Sequence, residues 1–433
     1  MPHRSRSATL VLLLLLPAAA AAGVRLDEEQ RLGRLLYKDR DLSVGRNQAC
    51  ASCHRLGKVR NEDGMRLPAP GFVDGANVRT GSAVSRGSVA GRFGTLNSPS
   101  AGYAAFSPAF HWNEDQQTYV GGQFWNGRAS TLAEQAAAPF LNPAEMAMPS
   151  KWAVVTRLAQ NNGYVERFEA VYGIDLSTIP QQELAPAEAT APGGVDDAYD
   201  RMTRAIAAFE KSRRFARFTS KFDFYLAGMT ELTAQEAEGL EVFELGSKGN
   251  CSACHPSTPG TASDGSLFPP LFTDFRYDNL GLPRNVNIPG DPAPDAGLGG
   301  RADIAEVDPE GLERGKHKVM SLRNIAITPP YGHNGVFATL EQIVHFYNTR
   351  DTLGTVADNN RPGFGKTGWP PPEISQNVNV TELGSLGLTP AEEDALVAFL
   401  ETLTDGYPEW GNDPLVPPGT RSPFRNTPLP EFP

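Results

Sequence analysis

Histidine and cysteine are scarce in this 433-residue chain, which has seven of the first and four of the second. Four cysteines are too few to staple a chain of this length as a disulfide scaffold. Beyond residue 22 no apolar run has the length or apolarity of a membrane-spanning helix, so no membrane span is expected. Basic charge is also short: 39 Lys and Arg stand against 50 Asp and Glu, a formal net charge of −11. That balance makes a poor nucleic-acid binder and favours basic redox partners through electrostatic steering.

The N-terminus does have a short apolar segment. Arg4 and Arg6 precede the run Thr9 to Pro17, and Ala18 to Ala22 are small. This is the layout of a cleaved Sec-type signal peptide over residues 1–22. No cysteine lies near the cleavage point, which argues against a lipid anchor. Losing the two arginines takes the net charge from −11 to −13. The product is expected in the periplasm, where bacteria attach c-type haem.

All four cysteines fall in two copies of one motif, Cys50-Ala51-Ser52-Cys53-His54 and Cys251-Ser252-Ala253-Cys254-His255. C-x-x-C-H is the attachment site of haem c: two thiols form thioethers with the vinyl groups, and the adjoining His ligates iron. A zinc site or a pair of disulfides would not call for histidine after the second cysteine twice. Two covalently bound haems are therefore expected.

The chain upstream of each motif is also alike. Gly33, Leu36 and Tyr37 recur as Gly239, Val242 and Phe243 at identical offsets. Each set lies on an amphipathic helix feeding a haem loop, which predicts an internal duplication of a cytochrome c unit. Capping boxes at Thr233/Glu236 and Thr389/Glu392 start two helices, the second running from Ala391 to Leu403. Helical periodicity covers 151–180 and 198–227, separated by a Pro/Ala-rich loop from Gln181 to Asp196. With 43 Gly and 36 Pro, much of the rest, notably 256–316, reads as long ordered loop. The expected fold is mainly α, with two cytochrome c-like haem domains at 23–228 and 229–407 and a Pro-rich tail at 408–433.

What a haem does depends on the ligand opposite its His. Two strong ligands make an electron carrier, and an open face admits peroxide or dioxygen. After His3, His54 and His255 are set aside, His111, His317, His333 and His345 remain; residues 55–110 hold no His, only Met65.

The run Phe124-Trp125-Asn126-Gly127-Arg128, then Gln135, Pro139, Asn142-Pro143 and Glu145-Met146, resembles the bacterial di-haem cytochrome c peroxidase and MauG family. So do Ser321-Leu322-Arg323-Asn324, Pro330-Tyr331-Gly332-His333-Asn334-Gly335 and the helix Thr339 to Tyr347. The resemblance covers about residues 26–405. It implies that the N-terminal haem binds hydrogen peroxide and the C-terminal haem stores electrons. Gln135 and Glu145 would then face the distal side of the first haem, with Pro139 lining its pocket. Trp125 would lie between the haems, with Trp112 the competing candidate. Tyr347 matches the position of the second haem's sixth ligand, Met320 and His333 being the alternatives. Its spacing sets it with Ile343 and Val344 on the inward helix face, whereas His345 points elsewhere.

Members that need reductive activation carry a distal His soon after the first C-x-x-C-H. Its absence here implies a haem open without activation, unless Met65 blocks it. The resemblance further implies a calcium ion held by Asn97, Thr328 and Pro330. The electron donor would be a small cytochrome c or cupredoxin. Alternatively, a partner protein's side chain would be oxidised, as MauG-type enzymes do. Where those carry a surface Trp before the second motif, this chain has Lys248-Gly249-Asn250. A plain di-haem electron carrier, with both irons six-coordinate, is the rival of another class.

Overall fold

The computed structural model describes residues 26–430 apart from 61–65, 71, 262–264 and 266; the signal-peptide segment and Met65 lie outside the described residues. Helices dominate, and sheet is confined to two-stranded ribbons. In order the helices are α1 (Glu28–Leu36), α2 (Cys50–Cys53), α3 (Gly75–Thr80), α4 (Leu132–Leu141), α5 (Lys151–Ala159), α6 (Asn162–Tyr172) and α7 (Val195–Glu210). There follow α8 (Lys221–Leu226), α9 (Ala234–Glu244), α10 (Ala302–Val307), α11 (Leu340–Thr349), α12 (Pro390–Glu401) and α13 (Tyr407–Trp410). Among the described residues no helix is long and apolar enough to cross a membrane.

The capping boxes at Thr233 and Thr389 form as their sequence requires, and Asp27 with Gln30 makes a third at α1. Each satisfies backbone amides that a first turn leaves unpaired. The periodic stretch 198–227 is not one helix: α7 stops at Glu210 and Ser220 caps a separate α8 through Asp223. Periodicity sees the apolar stripe on both sides of the break but not the turn within it. The C-terminal segment is no loose tail, since Val416 is buried against Phe224 and Tyr407, and Phe424 against Tyr103 and Phe218.

Two apolar cores organise the chain. One gathers Leu36, Tyr37, Phe140, Leu158, Phe168 and Phe209; the other gathers Phe243, Phe272, Phe337, Phe346 and Phe399. In the first α1 packs on α7, and in the second α9 packs on α12. Both crossings are made at a glycine. A Cβ on Gly33 would sit 1.8 Å from the Ala205 carbonyl oxygen, and one on Gly239 would sit 1.9 Å from that of Ala395. Gly to Ala within an exposed helix usually gains about 0.5–1 kcal/mol. Here Gly33→Ala and Gly239→Ala should each cost about 1–3 kcal/mol or more by overpacking. Chemical denaturation of the purified variants checks this, and a stabilised variant would contradict the crossing geometry.

The halves are joined by buried polar contacts. Asp405 accepts hydrogen bonds from the Tyr103 hydroxyl, the Thr219 amide and the Asn324 side chain. Arg323 pairs with Asp223 at 3.0 and 3.1 Å, both side chains fully buried.

Candidate functional site

Each C-x-x-C-H motif closes a loop after its glycine-crossing helix. Cys50–Cys53 form one helical turn, and Cys251–Ala253 a tighter one. All four cysteines are free, and each motif lines its own cavity. Burial pushes the thiols up, to about 12 at Cys53, Cys251 and Cys254. Among the described residues, neither Cys-Cys-His set converges at metal-ligand spacing.

The histidines are oriented by backbone. His54 Nδ1 lies 3.2 Å from the Phe72 carbonyl oxygen, and His255 Nδ1 lies 2.7 Å from that of Phe272. Both phenylalanines take positive φ, +50° and +53°. That uncommon conformation marks a site-specific constraint. An Nδ1–H donated to backbone leaves Nε2 as the free lone pair, the arrangement an iron-ligating imidazole uses. Burial holds both imidazoles below their ordinary range, hence neutral. The C-terminal cavity is walled by Phe243, Leu282, Leu340, Ile343, Leu396 and Leu400. The donor set and this apolar wall fit a covalently held macrocycle.

The signal for the two orienting carbonyls was present in the sequence and went unread. Pro70-x-Phe72-x-Asp74 follows the first haem motif as Pro270-x-Phe272-x-Asp274 follows the second.

In the N-terminal cavity, His54 shares the lining with Gln135, Pro139 and Glu145. Thr131 caps α4, and Gln135 and Pro139 lie one turn apart on one face. The chain then reverses at Asn142-Pro143. Asn142 accepts from the Ala144 amide at 2.9 Å and donates to Glu145 Oε1 at 2.6 Å. That turn carries the Glu145 carboxyl back to the cavity. Burial raises its pKa, against the smaller lowering effects of Arg128 and Asn142. Arg128 stacks over the Phe124 ring, 3.4 Å from its centroid, on the outer wall.

The second cavity is built on the same local plan. A bridge joins Gln123 to Ala129 before Thr131 caps α4, and another joins Tyr331 to Phe337 before Thr339 caps α11. Matched from the caps, Trp125 corresponds to His333, Gln135 to Ile343, and Pro139 to Tyr347. Tyr347 lines its cavity with Leu340, Ile343 and Val344, and burial pushes its phenol pKa well up. Met320 and His333 line that cavity too. The His333 ring is occupied, however: its Nε2 pairs with Glu373, and it stacks on His317 with centroids 3.6 Å apart.

Trp125 lines both haem-type cavities and a third between them. Its indole N–H donates to the Asn97 carbonyl at 2.8 Å. Trp112 instead sits exposed on a surface ribbon against Tyr119. The middle cavity is also lined by Asn97, Thr328 and Pro330. Asn97 Nδ2 donates to the Ala83 carbonyl at 2.9 Å, which leaves Oδ1 available as an oxygen donor. Side-chain amide and backbone carbonyls suit a hard cation such as calcium. Sequence reasoning overlooked Lys318, whose buried amine donates to Ser107 Oγ at 2.5 Å and to the Gly122 carbonyl in this same region. Burial lowers its pKa to about 7.

His111 is exposed, while His345 is turned to Glu393, 3.0 Å away. Neither lines a haem-type cavity.

A family model described as di-haem cytochrome c peroxidase matches residues 27–231. Over 380 residues the chain is 38% identical to methylamine utilization protein MauG of Paracoccus denitrificans, covering 86% of this chain and 88% of that protein. It is 29% identical over 401 residues to cytochrome c551 peroxidase of Nitrosomonas europaea, covering 92% and 86%. The crystal structure of the diheme peroxidase BthA from Burkholderia thailandensis superposes with a TM-score of 0.69 at 31% identity, covering 88% and 87%.

Proposed function

Since the chain belongs to the di-haem cytochrome c peroxidase and MauG family, whose members are peroxidase-type enzymes, we propose that its N-terminal cavity reduces hydrogen peroxide and its C-terminal cavity stores oxidising equivalents. The observation that carries this division is the match of Pro139 to Tyr347. Proline has no donor atom in its side chain, so the first site stays open where the second can be capped.

Cys50, Cys53 and His54 hold one haem c and Cys251, Cys254 and His255 the other, the two units being duplicates of one cytochrome c domain over 23–228 and 229–407. When bound, these haems supply the redox-active iron. Gln135 orients peroxide by hydrogen bonding from its amide. Glu145 accepts a proton from the near peroxide oxygen and delivers it to the far one, so that water can leave. Pro139 keeps the pocket free of a protein ligand. Trp125, which borders both cavities, shortens the path between them. Tyr347 caps the second site, where an anionic oxygen donor favours higher oxidation states. The overall reaction consumes one peroxide, two protons and two electrons and releases two waters. The electrons come from a small cytochrome c or cupredoxin in the periplasm.

Electron paramagnetic resonance of the oxidised protein tests the division. One high-spin and one low-spin ferric signal are expected; two low-spin signals with no high-spin component would make the protein an electron carrier instead. A second reading, oxidation of a partner protein's side chain, is supported by the 38% identity to MauG. Peroxide added with candidate donors separates the two, since one leaves the partner's covalent structure unchanged and the other alters its mass, by gain of oxygen or loss of hydrogen.

Calcium is assigned to Asn97 Oδ1 and the Thr328 and Pro330 carbonyls. Asn97 also receives the Trp125 indole, so losing the ion disturbs the bridge between the sites. Excess EDTA should lower turnover and alter the haem spectra, and added calcium should reverse both. A chelated, metal-free protein with unchanged spectra and turnover would remove this role.

A further inference from the structure

The N-terminal cavity has a second carboxyl group that the chemistry above leaves unused. Glu210 is the last residue of α7, 6% exposed, and it lines the cavity on the same wall as Gln135 and Cys50. Its Oε2 is buried and has no hydrogen-bond partner. Several rules argue against a glutamate there. An unpaired buried carboxylate is costly, and a negative charge in a helix's last turn opposes the helix dipole.

The other half of the molecule shows what ordinary packing puts at this place. The glycine crossings pair Gly33 with Ala205 and Gly239 with Ala395. Five residues beyond each alanine stand Glu210 and Leu400, and Leu400 lines the C-terminal cavity. The fold therefore accepts an apolar side chain at this site and uses a carboxyl group in one unit alone.

No side chain around Glu210 holds it ionised. The titratable groups that share the cavity with it are Cys50 and Cys53 of α2 with His54, and Glu145 beyond α4, and Tyr37 at the end of α1 lies near it outside the cavity; none of them is a cation at neutral pH. From the other packed elements, Glu134 of α4 is taken up by the Ser130 amide and Arg157 of α5 by the Asp41 and Ser43 carbonyls. Burial alone pushes Glu210 up to about 8.

We propose that Glu210 is the redox-linked proton carrier of the N-terminal site, taking up one proton as an electron arrives there and releasing it into the water formed from peroxide. The proposal rests on the N-terminal cavity being the peroxide site. The stoichiometry leaves a place for it. Glu145 only moves a proton that peroxide already carries. The second water needs two electrons from the donor protein and two protons from outside the substrate. Glu210 supplies one of them and solvent the other, and solvent recharges the carboxylate. A bound oxidised haem would favour the carboxylate by its positive charge, and an added electron removes that charge, so reduction raises the pKa of Glu210 and draws a proton in.

The test is a redox titration of the N-terminal haem in the full holoprotein at a series of pH values, with no peroxide or donor. In the wild type the potential should fall as pH rises through a window that includes 8, each pH unit inside it costing about tenfold in the reduction equilibrium. Glu210→Gln, and Glu210→Leu, which copies the packing at Leu400, should lose that dependence. The C-terminal haem should behave alike in all three. Unchanged pH dependence in either folded variant overturns the proposal. A second readout needs no variant: the wild-type redox-difference infrared spectrum should contain the deuterium-sensitive C=O band of a protonated carboxyl, and its absence overturns the proposal as well. If the N-terminal haem is instead low-spin and inert to peroxide, the underlying assignment of the site fails. An open, peroxide-reactive haem with a pH-indifferent potential defeats Glu210 alone.

Discussion

Glu145→Gln should reduce peroxide about 10²–10⁴-fold more slowly than the wild type, with haem content and both ferric signals preserved. That range is what a positioned general acid–base group contributes. Glutamine keeps the shape and can still accept from Asn142, which now donates at 2.6 Å, but its amide cannot take a proton at neutral pH. Stopped-flow measurement of peroxide consumption is the check, and a wild-type rate in the variant would remove Glu145 from the mechanism. The pH profile gives an independent reading. Burial raises the pKa of Glu145, and the group works as a base. The rate is therefore full above that raised pKa and is lost as pH falls through it, so the acid limb should lie above the usual carboxylate range.

Arg128 refines the same expectation. Its charge pulls the Glu145 pKa down, partly offsetting burial. Arg128→Gln should therefore move the acid limb to higher pH while leaving the plateau rate nearly unchanged. The displacement should be modest, because Arg128 lies exposed on the outer wall and water screens it.

The two haem motifs were legible in the sequence because they are local: each takes five consecutive residues, and both copies stand out. The helix ahead of each motif was legible too, through Gly33 and Gly239 at matching offsets, but the crossing made at each glycine shows only in the packing. The distal wall was reached only by resemblance. Glu145 enters the cavity because Asn142 turns the chain back across α4, and nothing in the pattern of apolar residues announces that turn. The equivalence of Pro139 and Tyr347 was hidden likewise. It appears only when the bridges Gln123–Ala129 and Tyr331–Phe337 align the two loops ahead of their helices. Glu210 and Lys318 were missed because a charged residue within an apolar stretch reads as a solvated helix end or strand edge. Only burial without a counter-ion distinguishes them.

Tyr347→Phe should abolish the low-spin ferric signal of the C-terminal haem, or replace it with that of a different ligand. It should also raise that haem's potential by on the order of hundreds of millivolts, axial ligands spanning about 0.8 V across haem proteins. The cavity wall explains why the loss should be specific. Tyr347 lies with Leu340, Ile343 and Val344 on one face of α11, so phenylalanine keeps the packing and removes one oxygen. His333 cannot readily take over, since Glu373 and the stacked His317 ring hold it. Met320 can, because it borders the same cavity. Tyr347→Phe combined with Met320→Leu separates the cases: a low-spin signal that survives the first change and vanishes with the second marks Met320 as the substitute. A low-spin signal unaltered by Tyr347→Phe would show that this tyrosine is no ligand. The converse exchange tests the same geometry from the other side. Pro139→Tyr puts a phenol in the last turn of α4, at the register of Tyr347 in α11, where the N-terminal site is open, and there it should convert the high-spin signal to low-spin and block peroxide.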